Sequence, residues 1–220
     1  MGKKYKLTEE TINVVGKTMY RIEAIRNFAN VKMGDKGGYV ENEGNLSQSG
    51  NCWVYCDAKV YGNAKVFGDA MVFDNAEVLG NAEVYDNAMV YDNAEVLSNV
   101  EVFGDAMVFG DAQVFGNAQV FGNAQVFGNA CVYGKAVVRD HTKVRDMARV
   151  HDEVKINGYA KICDKADVFE NAKVYGHAKV FDNAMVYDNA EVFGNAVISG
   201  NAKVFGDTEV YGNANINDNV

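Results

Sequence analysis

The stretch Val102-Phe103-Gly104-Asp105-Ala106-Met107-Val108-Phe109-Gly110-Asp111-Ala112-Gln113-Val114-Phe115-Gly116-Asn117-Ala118-Gln119-Val120 is one six-residue phrase written three times. Followed in both directions, the phrase holds from residue 54 to residue 216, where all 28 sixth positions are Val or Ile. Two residues before each stands a small side chain, nearly always Ala, and three after it stands Asn or Asp in 21 of the 28 cases. Short repeats without insertion build solenoids, in which each unit buries its apolar face against its neighbours. Within a hexad the Ala and the Val point one way and the residue between them the other, the period of a short strand with one buried face. The intervening residues agree: Lys59, Lys65, Glu77, Glu83, Gln113 and Lys173 are too costly to bury unpaired. After the Val come Gly or Asp and then Asn, residues that tolerate the left-handed backbone a sharp corner needs.

A longer period lies inside the short one. Met71, Met89 and Met107 recur at every third hexad, as do Glu77 and Glu95, Glu83 and Glu101, and Leu79 and Leu97. Every third strand therefore stacks on the same face, and the cross-section is a triangle. With strands about 4.8 Å apart, roughly nine or ten coils make a prism on the order of 45 Å long. The expected fold is all-β, a single-stranded parallel β-helix filled by Val, Ile and Ala.

Three hexads per turn, with an aliphatic residue at one position and a small one two before it, resembles the hexapeptide-repeat (LpxA-like) superfamily. That resemblance, and nothing else in the sequence, implies a left-handed coil; the general preference for right-handed crossovers points the other way. The lead-in Lys32-Met33-Gly34-Asp35-Lys36-Gly37-Gly38-Tyr39-Val40-Glu41, followed by Asn45-Leu46-Ser47-Gln48-Ser49-Gly50-Asn51-Cys52-Trp53-Val54, is similar to the YdcK-like branch. The resemblance covers essentially the whole chain. It implies a bacterial, prophage-associated setting and brings no agreed activity; the cytoplasm of the host cell is the location expected from the lack of a membrane span, a secretion signal and a disulfide framework.

Composition narrows the function classes. A net charge of −9 over 220 residues argues against broad nucleic-acid binding and against docking on an anionic membrane. No run of about 18 apolar residues predicts a membrane span. The basic start Met1-Gly2-Lys3-Lys4 leads into no hydrophobic stretch, so no secretion signal is expected. Lys6 stands where a myristoylation site needs Ser or Thr. Cys52, Cys56, Cys131 and Cys163 show no paired metal-ligand spacing and read as substitutions within the repeat.

Residues 1–38 form the expected N-terminal cap and 39–220 the repeat. Thr11-Ile12-Asn13-Val14-Val15 and Thr18-Met19-Tyr20-Arg21-Ile22-Glu23-Ala24-Ile25, joined through Gly16-Lys17, read as a hairpin. Such a terminal unit covers the open edge of the first coil. At the other end the repeat runs to Val220 and stops within a hexad, an uncapped edge where two chains could meet. A homo-oligomer, dimer or trimer, is expected through that edge or through the aromatic corners.

Those corners carry a ring after most Val residues, among them Tyr55, Phe67, Phe73, Tyr85, Phe103, Phe121 and Tyr133. They predict three ladders in which each ring stacks on the ring three hexads away, each pair contributing roughly 0.5–1.5 kcal/mol. The Asn residues predict amide ladders of the same pitch. Calcium-binding rolls use a denser acidic nonapeptide, so no metal is expected.

The pattern breaks between residues 135 and 165. Six corner positions lose Asn or Asp, becoming Lys135, His141, Met147, Glu153, Tyr159 and Lys165, while the aromatic positions become Arg139, Arg145, His151, Asn157 and Cys163. Eight Lys and Arg face five Asp and Glu here, so this belt is net positive inside an acidic chain. The three-hexad pitch also aligns Lys143, Lys161 and Lys179 on one face. Like charges held that close repel, and departures from local rules tend to mark functional sites. The plain reading is a solvated belt partly paired to Asp140, Asp146 and Asp152. The sharper one is a binding surface of Arg139, His141, Lys143, Arg145, Arg149, His151 and Lys161. It would take an acidic protein surface, of host or phage, or a phosphorylated small molecule, in a rigid scaffold with no catalytic residue and no cofactor.

The resemblance implies one catalytic alternative, a CoA-dependent acyltransferase with His141 or His151 as general base and Asp140 or Asp152 orienting it. Such enzymes carry an extruded loop and a C-terminal helix, and 28 uninterrupted hexads supply neither. An imitation of DNA by the acidic ends is opposed by the basic middle. His177 reads as an isolated corner substitution.

Overall fold

Ala and Val at alternate positions make two-residue strands, and a left-handed residue after each pair turns the chain through the corner. A computed structural model describes residues 2–217. It shows a parallel β-solenoid of about ten turns whose strands fall into sheets of twelve, ten and nine. From Trp53 onward each strand pairs in parallel with the strand three hexads on, as Met71 with Met89 and Met89 with Met107. The Val and Ile positions and their preceding Ala are buried almost without exception, so the core is a continuous aliphatic column. No helix among the described residues is long and apolar enough to cross a membrane.

The corners divide their work between two residues. The first, Gly or Asp, carries the positive φ: 69° at Gly104 and 64° at Asp140. Asp is accepted in that strained position because its side chain takes a backbone N–H from the next coil, as Asp140 Oδ2 does from Gly158 at 3.0 Å and Asp188 Oδ2 from Gly206 at 2.9 Å. The second corner residue does not share the left-handed backbone. Its Asn instead makes the amide ladder, Asn63 to Asn81 to Asn99 to Asn117 at 3.0, 2.8 and 2.9 Å. Ring ladders stand beside them, with Tyr85, Phe103 and Phe121 stacked 4.9 and 4.7 Å apart and nearly parallel.

The N-terminal hairpin is longer than its sequence suggests. Strand β1 (Tyr5–Val14) pairs antiparallel with β2 (Lys17–Ala24), and β2 with β3 (Lys36–Val40). Strand β3 then joins the twelve-stranded sheet by parallel pairing of Val40 with Val60. That step, like the bridge from Leu46 to Val66, is longer by two positions than the three hexads of a regular coil. The extra pair lies before Trp53, where Gln48 accepts the backbone N–H of Lys4 at 2.9 Å and so ties β1 to the first coil. Tyr5 and Phe28 meet the Trp53 ring edge-on at 6.1 and 5.3 Å, closing the end of the core. The expected open edge at Val220 lies outside the described residues.

Candidate functional site

The outward positions of the ten-stranded sheet run from Trp53 through Met71, Met89, Met107 and Gln125 to Lys143, Lys161 and Lys179, then Val197 and Asn215. No carboxylate occupies any of them. On the other two sheets three outward Lys each find a Glu one coil on: Lys59 and Glu77 at 2.9 Å, Lys65 and Glu83 at 3.4 Å, Lys173 and Glu191 at 2.7 Å. Even where Lys155 stacks on Lys173, Glu191 follows. Lys143, Lys161 and Lys179 stack only on one another. All three are exposed, and none forms an ion pair among the described residues. Ammonium groups one strand apart repel by about 1 kcal/mol per pair even in water.

The corner leading into this face has changed its chemistry with it. Two residues before each Lys the Asn ladder is replaced by His141, Tyr159 and His177, which stack at 4.7 and 4.9 Å. His177 is thus the third ring of a stack and not an isolated substitution. The three rings, the three lysines, Asn195 and Val197 line an open groove of about 670 Å³. On the far side of the lysines a smaller groove of about 300 Å³ is bounded by Arg145, Cys163 and Phe181, with Asp164.

The belt expected from the sequence therefore splits. His141, Lys143, Arg145 and Lys161 share this face and its corners, and Lys179, Tyr159 and His177 join them. Arg139 stands exposed at the corner that precedes His141. Arg149 and His151 belong to the next face and are already satisfied. Arg149 hydrogen-bonds Asp167, a carboxylate buried to 7 % exposure. His151 meets Asp152 through Nδ1 at 3.0 Å and Asp167 through Nε2 at 3.1 Å. Its ring also stacks between Tyr133 and Phe169, at 4.6 and 5.3 Å, so the aromatic ladder continues through His151 instead of breaking there. A general base needs one free nitrogen beside its orienting carboxylate. His151 has Asp152 in place, yet its second nitrogen faces Asp167. His141 touches Tyr159 and shows no bond to Asp140, whose Oδ2 accepts the backbone N–H of Gly158.

Asp146, Cys163 and Asp164 bring three potential ligand atoms within 4.8 Å of one another. Arg145 Nη1 bonds one of the two carboxylates, Asp146, at 2.8 Å. Burial pushes the Cys163 thiol up to about 11 against the opposing pull of Arg145. At the belt's edge Lys135 and Glu153 bond at 2.8 Å, which raises the ammonium's pKa and lowers the carboxyl's.

The signal for the added residues was present in the spacing. Lys179 lies three hexads beyond Lys161, and Tyr159 and His177 lie three and six hexads beyond His141. Lys179 and His177 fall past the run of broken hexads, so composition alone leaves them out. A search among curated proteins finds no match. A model of the YdcK beta solenoid repeat matches residues 124–140, a stretch that runs into the start of the belt. Over that stretch, and in its parallel coils, the chain is similar to the YdcK β-solenoid repeat.

Proposed function

We propose that the protein is a rigid, non-catalytic scaffold that holds an anionic partner on its ten-stranded face. The observation that carries this is the ladder of Lys143, Lys161 and Lys179, unpaired and in register on a face without outward carboxylates. A folded chain tolerates such repulsion at modest cost in water, but an occupant bearing negative charge converts it into attraction, strongest where several fixed cations act together. The core supports the role, because strands hydrogen-bonded on both sides hold the three cations at a constant pitch. In the prophage setting that the resemblance implies, the occupant would be a host or phage component.

Inorganic triphosphate, titrated calorimetrically at low salt, tests the reading. Binding should weaken at least tenfold in Lys161→Glu and fall steeply as salt is raised. The same charge change at Lys203, an exposed lysine of the twelve-stranded sheet with no ion pair among the described residues, should alter it by less than about twofold. Equal losses in the two variants, or no binding to the unaltered protein, would sink the proposal.

A further inference from the structure

A second charged ladder, of opposite sign, runs beside the lysines on the same coils. Three positions past Lys143, Lys161 and Lys179 stand Asp146, Asp164 and Asp182, each at a corner with positive φ. They stack coil on coil: Asp146 Oδ2 accepts the backbone N–H of Asp164, and Asp164 Oδ2 that of Asp182, both at 3.3 Å. From Met107 to Val197 the two ladders come and go together. Where the outward position is Met107, Gln125 or Val197, the corner position is Gly110, Gly128 or Gly200. Yet no lysine of the one bonds an aspartate of the other, and Asp164 and Asp182 form no ion pair among the described residues.

Between the ladders lies one column of side chains, two positions past each outward residue. It begins as Phe73, Tyr91, Phe109 and Phe127 and ends at Phe181. The first four rings are half-buried and stack at 4.9, 4.7 and 4.7 Å, with Met71, Met89 and Met107 alongside. A contiguous apolar stripe of this kind marks a contact surface. Cations on one side of a line and carboxylates at the same heights on the other make that surface complementary to itself. A two-fold axis along the line, parallel to the prism, keeps every coil at its height and exchanges the two sides. An axis across the prism would instead set lysine against lysine. An extended acidic peptide presents same-side carboxylates about 6.6 Å apart and drifts out of step with cations about 4.8 Å apart, whereas a second copy has the same pitch.

Resting on the anion-binding reading above, we propose that the anionic partner of the ten-stranded face is a second copy of this chain, in a parallel, side-by-side dimer whose two-fold axis follows the ring column. Lys143, Lys161 and Lys179 of each copy pair with Asp146, Asp164 and Asp182 of the other. The rings on the axis meet their own images. Arg145 reaches the same axis, and Asp146 accompanies it at 2.8 Å. From Phe73 to Phe181 the column is about 30 Å long. That is a small interface for specific recognition, so monomer and dimer exchange with concentration and with salt.

Sedimentation equilibrium at low salt, over a range of protein concentrations, measures the pairing, and small-angle X-ray scattering gives its shape. The unaltered protein should dimerise, the dimer should be no longer than the monomer, and the pairing should weaken as salt is raised. Lys161→Glu should weaken the dimer at least tenfold. Asp164→Asn/Asp182→Asn keeps at both corners a residue that tolerates positive φ and removes only the charge. It should weaken the dimer at least fivefold while triphosphate binds at least as tightly, with circular dichroism confirming both folds. A monomer at every concentration, a dimer of doubled length, or a dimer that both variants leave intact overturns the pairing. If such a protein still binds triphosphate, the anion site stands; if it does not, both readings fall.

Discussion

Thr142 occupies a position that most hexads give to Ala, and its hydroxyl is buried with no hydrogen-bond partner among the described residues. An unsatisfied buried hydroxyl costs about 1–3 kcal/mol, and the methyl group beside it returns part of that through burial. Thr142→Ala is therefore expected to stabilise the protein by about 1 kcal/mol, raising Tm by about 2–4 °C for a chain of this size. A thermal melt checks this, and a lower Tm would contradict it. At this scale the sequence is legible where one residue type answers one backbone demand, as at Gly104 and Asp140. It is not legible where a side chain has two neighbours to choose from. His151 reads as a break in the ring ladder, yet an imidazole is flat enough to continue the stack and basic enough to bridge Asp152 and Asp167.

At the scale of elements, one of the polar contacts that tie the hairpin to the solenoid is sensitive to pH. Lys17 at the start of β2 meets Glu41 at 2.7 Å, and Glu41 also accepts the backbone N–H of Gly62 at 2.6 Å. The bond from Lys17, followed by that from Gly62, holds the Glu41 carboxyl below its ordinary value. A carboxyl depressed by folding stabilises the native state above its unfolded pKa, and that contribution disappears as pH falls through the depressed folded value. The hairpin is thus expected to loosen as pH drops below about 4.3, the ordinary glutamate range. Trp53, the single tryptophan, packs against Phe28 and Tyr5 and reports this by fluorescence; Glu41→Gln should flatten the response between pH 5 and 3. Strand periodicity reveals that a hairpin exists but not that β1 reaches back to Tyr5, because Lys4 and Tyr5 are buried by partners from residues 43–52, far along the chain.

For the whole molecule, position on the surface is residue number read in steps of three hexads. Removing residues 85–102 joins Val84 to Phe103 in register and should give a folded protein one coil shorter, with unchanged circular dichroism per residue and unchanged triphosphate affinity. Removing only 100–102 turns outward positions inward from there on and should prevent folding of the downstream coils. Loss of structure in the whole-coil deletion would show that the coils are not interchangeable. The architecture was legible at this scale because one periodicity dictates every strand, corner and sheet. The site was legible only in part: charge composition locates the belt, while the split between two faces depends on which corner each residue turns. The pairing of each strand with the coil before and the coil after also has a mechanical side. Tension on the C-terminal end loads one coil's hydrogen bonds at a time, as thread is drawn from a spool. Each coil that yields releases roughly 60 Å of chain, and the coils beneath it keep their shape and their load-bearing order until their turn comes.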